Sequence, residues 1–369
     1  MRVCKAWNDI IHSQEFIEAQ HYRSMKTNGP RTILLLKRNS YKPDKRISLS
    51  VCFDRVVSKS DVLPVRITQP LQHFDEKAFM VGYCNSLVCI RYSNSISNAE
   101  TLVVWNPSIQ RFKRIPFTPV ELPAEWADNQ KRFPKIAYGF GYDSINDDYK
   151  LVRVVQFTKD DDVVGSEVKI YSIKSNSWKK VQSLPCTKGL RMYFTTSRLS
   201  YLNGALHLLM FGLSDENRIP VIVSLDLATE MYDEFPTPTV CYYKKLLVLE
   251  VFGGYLGVCL RPYPPATFID QSDVWIMKKY GVTATWTRLY TIEKDDMPLQ
   301  TYKYCKPLLF SETREVVLLE RGGMLWWYDF ERKGFEMVVI PNKPRLFSTA
   351  ICAGNLLLLD GERVINPSQ

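Results

Sequence analysis

Histidine is scarce in this chain: His12, His21, His73 and His207 are the only four in 369 residues. No two stand at a spacing that brings both imidazoles to one metal ion, which argues against a metal-dependent oxidase or hydrolase. His207 sits in the apolar run GALHLLM, where a satisfied core histidine is the expectation. Long runs of one charge are missing too. The formal net charge is +9, yet the basic residues fall in short, separate groups: Lys179-Lys180, Lys244-Lys245, Lys278-Lys279 and Arg111-Phe112-Lys113-Arg114. None reaches the length of a nucleic-acid-binding arm. They fit solvated strand edges, where lysine discourages edge-to-edge pairing, so no nucleic-acid partner is expected.

Other absences bound the cell compartment. The longest apolar stretch, LLVLEVFGGYLGVCL, is too short to span a bilayer, carries Glu250 and breaks at Gly253-Gly254. No membrane partner follows from it. Arg2 and Lys5 lead into an amphipathic segment rather than the apolar core of a signal peptide. Asn106-Pro107-Ser108 and Asn366-Pro367-Ser368 both place proline where a glycosylation acceptor forbids it. The nine cysteines are odd in number and lie mostly inside apolar runs, as reduced buried thiols do. A cytoplasmic or nuclear location is the expectation.

The residues offer little chemistry. Cys84 and Cys89 are five apart, which on one strand would point them to opposite faces and away from a shared metal. GFGYDS at 139–144 lacks the third glycine of a phosphate loop and leads to a hairpin turn rather than a helix. Asp160-Asp161-Asp162 lacks the spaced oxygens of a calcium loop. Asn146-Asp147-Asp148 reads as a turn between strands. The expectation is a protein that is not an enzyme and takes no cofactor and no metal.

What the chain does have is aromatic and β-branched sequence. Hydrophobic residues make up 46%, with twenty Tyr, eighteen Phe and eight Trp, a composition that favours strands and a substantial core. Five segments share one grammar: an apolar strand, a polar turn, and a second strand opening on an aromatic. They are VVWNPSIQRFKRIP, KIYSIKSNSWKKV, VSLDLATEMYDEFP, DVWIMKKYGVTATWTRL and LWWYDFERKGFEMVVI. Trp105 to Phe112, Tyr171 to Trp178, Leu225 to Tyr232 and Tyr328 to Phe335 are each seven residues apart, and Trp275 to Trp286 is eleven. The second aromatics recur at offsets of 66, 54, 54 and 49 residues, close to the period of propeller blades.

A second hairpin precedes each of these. YCNSLVCI, YLNGALHLLM, FGGYLGVCL and ICAGNLLLLD fold about Gly, Asn or Asp turns, and YGFGYDSINDDYKLVRVV and LLFSETREVVLLE use a longer turn. That makes six inner hairpins and five outer ones. The strand-like segments RTILLLKR from Arg31 and RISLSVCF from Arg46 are left to complete the sixth. The expected fold is all-β: a β-propeller of about six four-stranded blades over residues 31–362, with N- and C-terminal strands closing the ring and leaving no open edge. Residues 54–80 have no clear place and could hold a further pair of strands. The segments 54–79, 117–134, 158–166, 184–192 and 261–272 read as long polar connections, and such loops on a rigid scaffold commonly carry recognition.

These motifs resemble a family. The opening V-C-K-A-W-N-D-I-I is similar to the final helix of an F-box, and the ordered pieces from VGYCNSLVCI to VWIMKKYGVTATWTRLYTI resemble the F-box-associated domain of plant F-box and F-box/kelch-repeat proteins, including the S-locus type. The match covers about residues 81–292 and weakens beyond. The resemblance implies a substrate-recognition subunit of an SCF-type E3 ubiquitin ligase, which binds a target protein of unknown identity through propeller loops. A Skp-type adaptor and a cullin would be its other partners. It also implies that residues 1–24 are an F-box remnant, with Val3, Cys4, Lys5, Trp7, Ile10 and Ile11 on its last helix. The family's Leu-Pro-containing segment would lie ahead of that helix, so the expectation is a shortened F-box that docks the adaptor poorly. The alternative expectation is an adaptor-independent binding scaffold that competes with intact relatives.

Overall fold

The computed structural model describes residues 31–37, 47–53, 64–71, 76–94, 100–123, 134–159, 162–184, 190–192, 198–213, 218–238, 245–262, 272–292, 306–310, 316–321, 323–344, 347–352 and 362–363. The expected N-terminal helix at 1–24 lies outside them. Among the described residues twenty-six strands form six antiparallel sheets, and the fold is an all-β, six-bladed propeller. Among the described residues the only helical element is one 3-10 turn, Thr283–Thr285. The chain divides into two compact units. One combines residues 1–117 with 339–369, and the other is 118–338.

The first unit holds two sheets. Sheet I is a meander of β4 (Glu76–Cys84), β5 (Leu87–Asn94), β6 (Glu100–Asn106) and β7 (Arg111–Ile115), with the short β26 (Glu362–Arg363) added outside β7. Sheet VI is built from both parts of the chain, in the order β25 (Phe347–Cys352), β1 (Arg31–Lys37), β2 (Ile47–Phe53) and β3 (Val65–Thr68). Thr32 pairs with Cys352 and Lys37 with Phe347, so the expected joining of N- and C-terminal strands takes place inside one sheet. It differs in detail. Within the described residues the C-terminal part supplies one strand and the N-terminal part three, and residues 353–361 lie outside the description. The unplaced 54–80 stretch contains β3 and the start of β4.

The second unit holds four sheets. Sheet II is β8 (Lys135–Asp143), β9 (Asp148–Lys159), β10 (Asp162–Ser172) and β11 (Ser177–Val181). Sheet III is β12 (Arg191–Met192), β13 (Ser200–Leu202), β14 (Ala205–Leu213), β15 (Arg218–Asp226) and β16 (Tyr232–Pro236), with β12 and β13 both pairing with β14. Sheet IV is β17 (Lys245–Phe252), β18 (Tyr255–Pro262), β19 (Ser272–Met277) and β20 (Trp286–Ile292). Sheet V is β21 (Lys306–Phe310), β22 (Val316–Arg321), β23 (Met324–Asp329) and β24 (Gly334–Met337).

The middle strands of sheet III are apolar on both faces because that sheet is covered on both sides. In β14, Leu206, Leu208 and Met210 pack with Val152, Val154, Val168 and Ile170 of sheet II, while Leu209 packs with Leu249, Val258 and Leu260 of sheet IV. Outer strands are polar: β11 and β16 expose most of their residues, and Lys179 and Lys180 stand on the β11 edge. The glycines of GFGYDS serve this packing. A Cβ on Gly139 would lie 2.8 Å from Leu199 Cβ, and one on Gly141 would meet the Tyr201 ring. Sheets II and III approach that closely only because β8 has no side chain there.

The seven-residue interval is a register. Trp105 lies opposite Phe112, Tyr171 opposite Trp178, Leu225 opposite Tyr232 and Tyr328 opposite Phe335. The turn between each pair follows one plan. Asn106, Asp226 and Asp329 accept backbone N–H groups two or three residues on, and Ser172 Oγ accepts from Ser175. The residue five after the first aromatic or leucine is left-handed in all four: Gln110, Asn176, Glu230 and Lys333, with φ between 50° and 61°. Sheet IV departs from the expectation. Trp286 lies opposite Met277, and Trp275 opposite Arg288, because the 3-10 turn lengthens the connection. The eleven-residue Trp275–Trp286 interval is therefore not a cross-strand pair.

Candidate functional site

Antiparallel strands send their connections alternately to two rims. In the second unit one rim is made of tight turns, such as 144–147, 173–176, 203–204, 253–254 and 330–333. Lengthier connections, 239–244, 263–271 and 293–305, leave from the opposite strand ends and lie outside the described residues. Two other expected loops are not free connections. Residues 158–166 mostly continue β9 and β10, with a bulge between Val163 and Gly165. Leu184, Leu190 and Met192, from the expected 184–192 loop, are buried in the core between sheets II and III.

Residues 118–123 also have a fixed place, against one face of sheet II. Arg153 donates to the carbonyls of Thr118 and Pro119 at 2.5 and 2.9 Å and pairs with Glu167 at 2.7 Å. The Glu121 N–H donates to Glu167 at 2.9 Å, and Val120 packs on Val155 and Phe157. Lys169 and Lys180 reach the Glu121 carboxylate at 2.8 and 2.6 Å. Those two hydrogen bonds bring its pKa down to about 2. Cross-strand register explains the network: Arg153 and Lys169 are direct partners on β9 and β10. Nearer the tight-turn rim, Lys150 bridges Asp143 at 2.8 Å and the Leu227 carbonyl at 2.6 Å. Burial pushes the Asp143 carboxyl up, but hydrogen bonds from Lys150 and Asn146 outweigh it and hold the group below the usual range.

The leading strands of the four sheets run side by side. Leu199 N–H donates to Tyr138 O at 2.8 Å, Tyr138 and Arg198 form a parallel bridge, and Ser200 Oγ donates to Leu249 O at 3.2 Å. Here side chains of three sheets converge. Arg198 lies 2.8 Å from one Glu250 carboxylate oxygen, and Lys306 lies 3.7 Å from the other. Glu250 is buried on β17, while the Arg198 side chain keeps about a fifth of its exposure, 22%. Two cations flank one buried carboxylate, and Glu320 lies directly opposite Lys306 across the β21–β22 pair. Lys306 opens β21, and Arg198 lies two residues ahead of β13. The cluster holds no nucleophile paired with a base.

Sequence reading did not find this cluster, since its members lie in different repeats, 52 and 56 residues apart. Glu250 itself was visible as a charge inside an apolar run, which is the signal that could have led to it. Val3, Cys4, Lys5, Trp7, Ile10 and Ile11 lie outside the described residues. The motif aromatics do not meet at one site: each is placed within its own sheet, with Trp105 and Tyr171 fully buried. His207 is buried. Its Nδ1 donates to Ser200 O at 3.0 Å, and its Nε2 accepts from Tyr280 Oη at 2.8 Å. Cys84 and Cys89 prove to lie on two strands of one hairpin, and the register Gly82↔Cys89 puts them on the same face rather than opposite ones. Both are buried and outside any disulfide, and burial pushes the Cys89 thiol well up. Among the described residues no three His, Cys, Asp or Glu gather in a way that could hold a metal ion.

Residues 42–348 match the model of the F-box associated beta propeller domain. Three curated proteins of Arabidopsis thaliana are similar over most of their length. "F-box protein CPR1" is 30% identical across 95% of this chain and 81% of its own. "F-box protein At4g22390" is 28% identical across 87% and 76%. "F-box/kelch-repeat protein At3g23880" is 26% identical across 87% and 80%.

Proposed function

The chain belongs to the F-box-associated β-propeller family, and from that premise we propose that it is the non-enzymatic substrate-recognition subunit of an SCF-type ubiquitin ligase. In this reading the propeller binds a target protein, and a Skp-type adaptor and a cullin bring the ubiquitin-transfer machinery to it. The family match over residues 42–348 carries the proposal. In this reading the Arg198–Glu250–Lys306 cluster offers two cations to an acidic element of the target, a carboxylate or a phosphorylated residue.

The test is proximity labelling by the full chain in plant cells, compared with protein turnover when the chain is depleted. The expected result is labelling of a Skp-type adaptor together with at least one protein whose half-life lengthens on depletion. Lys306→Met, which keeps the Arg198–Glu250 pair, should weaken labelling of that target and keep the adaptor. Absence of the adaptor from the labelled set, with no change in any labelled protein's turnover, would overturn the ligase reading. A target that is bound without any adaptor would point to the adaptor-independent scaffold.

A further inference from the structure

The strap over sheet II carries a hydroxyl set against a cation. Residues 116–123 form neither strand nor helix; Pro116, Phe117, Pro119, Glu121 and Leu122 are exposed, and Thr118 is half-buried. Proline after Thr118 favours extended backbone at the threonine. Thr118 Oγ1 accepts from Lys169 Nζ at 3.4 Å, and the same ammonium reaches the Pro119 carbonyl at 3.1 Å and the Glu121 carboxylate at 2.8 Å. Arg153 donates to the Thr118 carbonyl at 2.5 Å. Both cations are buried and stand in direct cross-strand register, Arg153 on β9 and Lys169 on β10, so the sheet holds them in place beneath the strap. The chain has one other Thr-Pro pair, Thr237-Pro238, and no Ser-Pro. Thr237 is buried, and its Oγ1 donates to the Pro220 carbonyl at 3.0 Å, so it faces a carbonyl where Thr118 faces an ammonium.

We propose that Thr118 is a phosphorylation site for a proline-directed serine/threonine kinase, with Lys169 as the receiver of the phosphate. In the transfer a bond forms between Thr118 Oγ1 and the γ-phosphorus of ATP, while the bond from that phosphorus to the β,γ-bridging oxygen breaks. ADP leaves, and the hydroxyl proton passes to the kinase's base. The modified side chain brings a charge of about −1.5 to −2 and three acceptor oxygens to an ammonium that already touches the hydroxyl. Glu121 and Glu167, 2.8 and 3.6 Å from that ammonium, are the anions with which the phosphate competes. The phosphate takes Lys169, and Glu121 keeps Lys180, 2.6 Å away. A charge-assisted bond replaces the weaker one to the hydroxyl, so the mark fastens the strap to sheet II. This inference is independent of the ligase reading, since it needs only the strap and the two strands beneath it.

For the test, the full chain and a peptide of residues 114–123 are each incubated with ATP, magnesium ions and a mitogen-activated protein kinase, and the modified residue is read by mass spectrometry. Phosphate on Thr118 is expected in both, and Thr118→Ala should lose it. A phosphorus NMR titration then reports the phosphate's surroundings. In the peptide its second pKa should stand at about 6. In the full chain the neighbouring ammonium should lower it to about 5. Lys169→Met should return it toward the peptide's value, and Glu121→Gln should lower it further by removing a competing anion. Should Lys169→Met fail to fold, the parent chain and Glu121→Gln decide alone. A peptide or a folded chain left unmodified at Thr118 would overturn the proposal, as would equal phosphate pKa values in peptide and chain.

Discussion

Replacing Gly141 with alanine tests the contact on which sheets II and III depend. A Cβ at this position falls on the edge of the Tyr201 ring and 2.9 Å from Leu227 Cδ1. Neither neighbour can yield easily. Tyr201 Oη donates to Tyr142 O at 2.7 Å, so the ring withdraws only by giving up that bond. Leu227 is fully buried, and its carbonyl accepts from Lys150, whose ammonium also serves Asp143. Overpacking in a close-packed interior costs about 1–3 kcal/mol, and the lost hydrogen bond adds about 1 kcal/mol. Gly141→Ala should therefore destabilise the protein by about 2–4 kcal/mol, read from urea unfolding followed by tryptophan fluorescence. Gly165→Ala is the control. Its nearest neighbours would be Phe157 Cδ2 at 3.8 Å and Pro123 Cγ at 3.9 Å, which is ordinary contact. That variant should be neutral, or gain up to about 1 kcal/mol through a less flexible unfolded chain. Equal unfolding midpoints for the two variants would refute the close approach of sheets II and III at β8.

Three further outcomes follow from buried or strained groups. Burial lowers the His207 pKa to about 4, against about 6.5 for an exposed imidazole. The unfolded chain takes up its proton below about pH 6.5 and the folded chain only near pH 4, so stability falls with pH across that window, by about 3 kcal/mol at its acid end. His207→Gln should flatten the decline in urea titrations between pH 7 and 4.5; an unchanged slope would show that other groups cause it. Arg153→Met leaves Glu167 buried, with Lys169 3.6 Å away as its remaining cation, and takes donors from the Thr118 and Pro119 carbonyls. A loss of about 3–5 kcal/mol is expected, and adding Glu167→Leu should recover part of it; a double variant weaker than the single one would contradict the stranded-charge explanation. Lys333 holds φ at 50°, a left-handed conformation that glycine adopts without strain. Lys333→Gly should raise stability by about 0.5–1 kcal/mol, whereas Asn176→Gly should not, because it loses the Tyr171 Oη hydrogen bond at 2.5 Å; equal gains at both sites would discount that bond.

The fold was legible where its information is local. The aromatic interval became a strand register because a four-residue turn, preceded by a side-chain acceptor and ended by a left-handed residue, fixes which residues face each other. Every piece of that device lies within eight residues of sequence, so four repeats declared it: Asn106, Ser172, Asp226 and Asp329 with Gln110, Asn176, Glu230 and Lys333. Sheet IV hid its register because Gly281, with φ at 78°, and the 3-10 turn at Thr283–Thr285 solve the same reversal with two more residues, and Met277 takes the place of an aromatic. Relations between sheets were not legible, because packing of side chains from different repeats leaves no mark of fixed spacing. The polar strap at 118–123 read as an open loop: what holds it is Arg153 and Glu167, more than thirty residues away.

The same distinction governs the candidate site. A carboxylate in the middle of an apolar strand is costly to bury without a cation, so Glu250 in LLVLEVFGG announced that some partner must exist. The strand could not say which. Arg198, two residues ahead of β13, and Lys306, which opens β21, are supplied from either side, and only the side-by-side arrangement of β13, β17 and β21 selects them from the chain's 48 lysines and arginines. One cation would have sufficed to neutralise Glu250. The second is held at the longer distance of 3.7 Å, and it lies directly opposite Glu320 on β22. If neutralising Glu250 were the cluster's whole role, Lys306→Met would leave target binding unchanged. The recognition role requires instead that Lys306→Met weaken binding of an acidic target while the Arg198–Glu250 pair, and with it the unfolding midpoint, stays close to that of the parent chain.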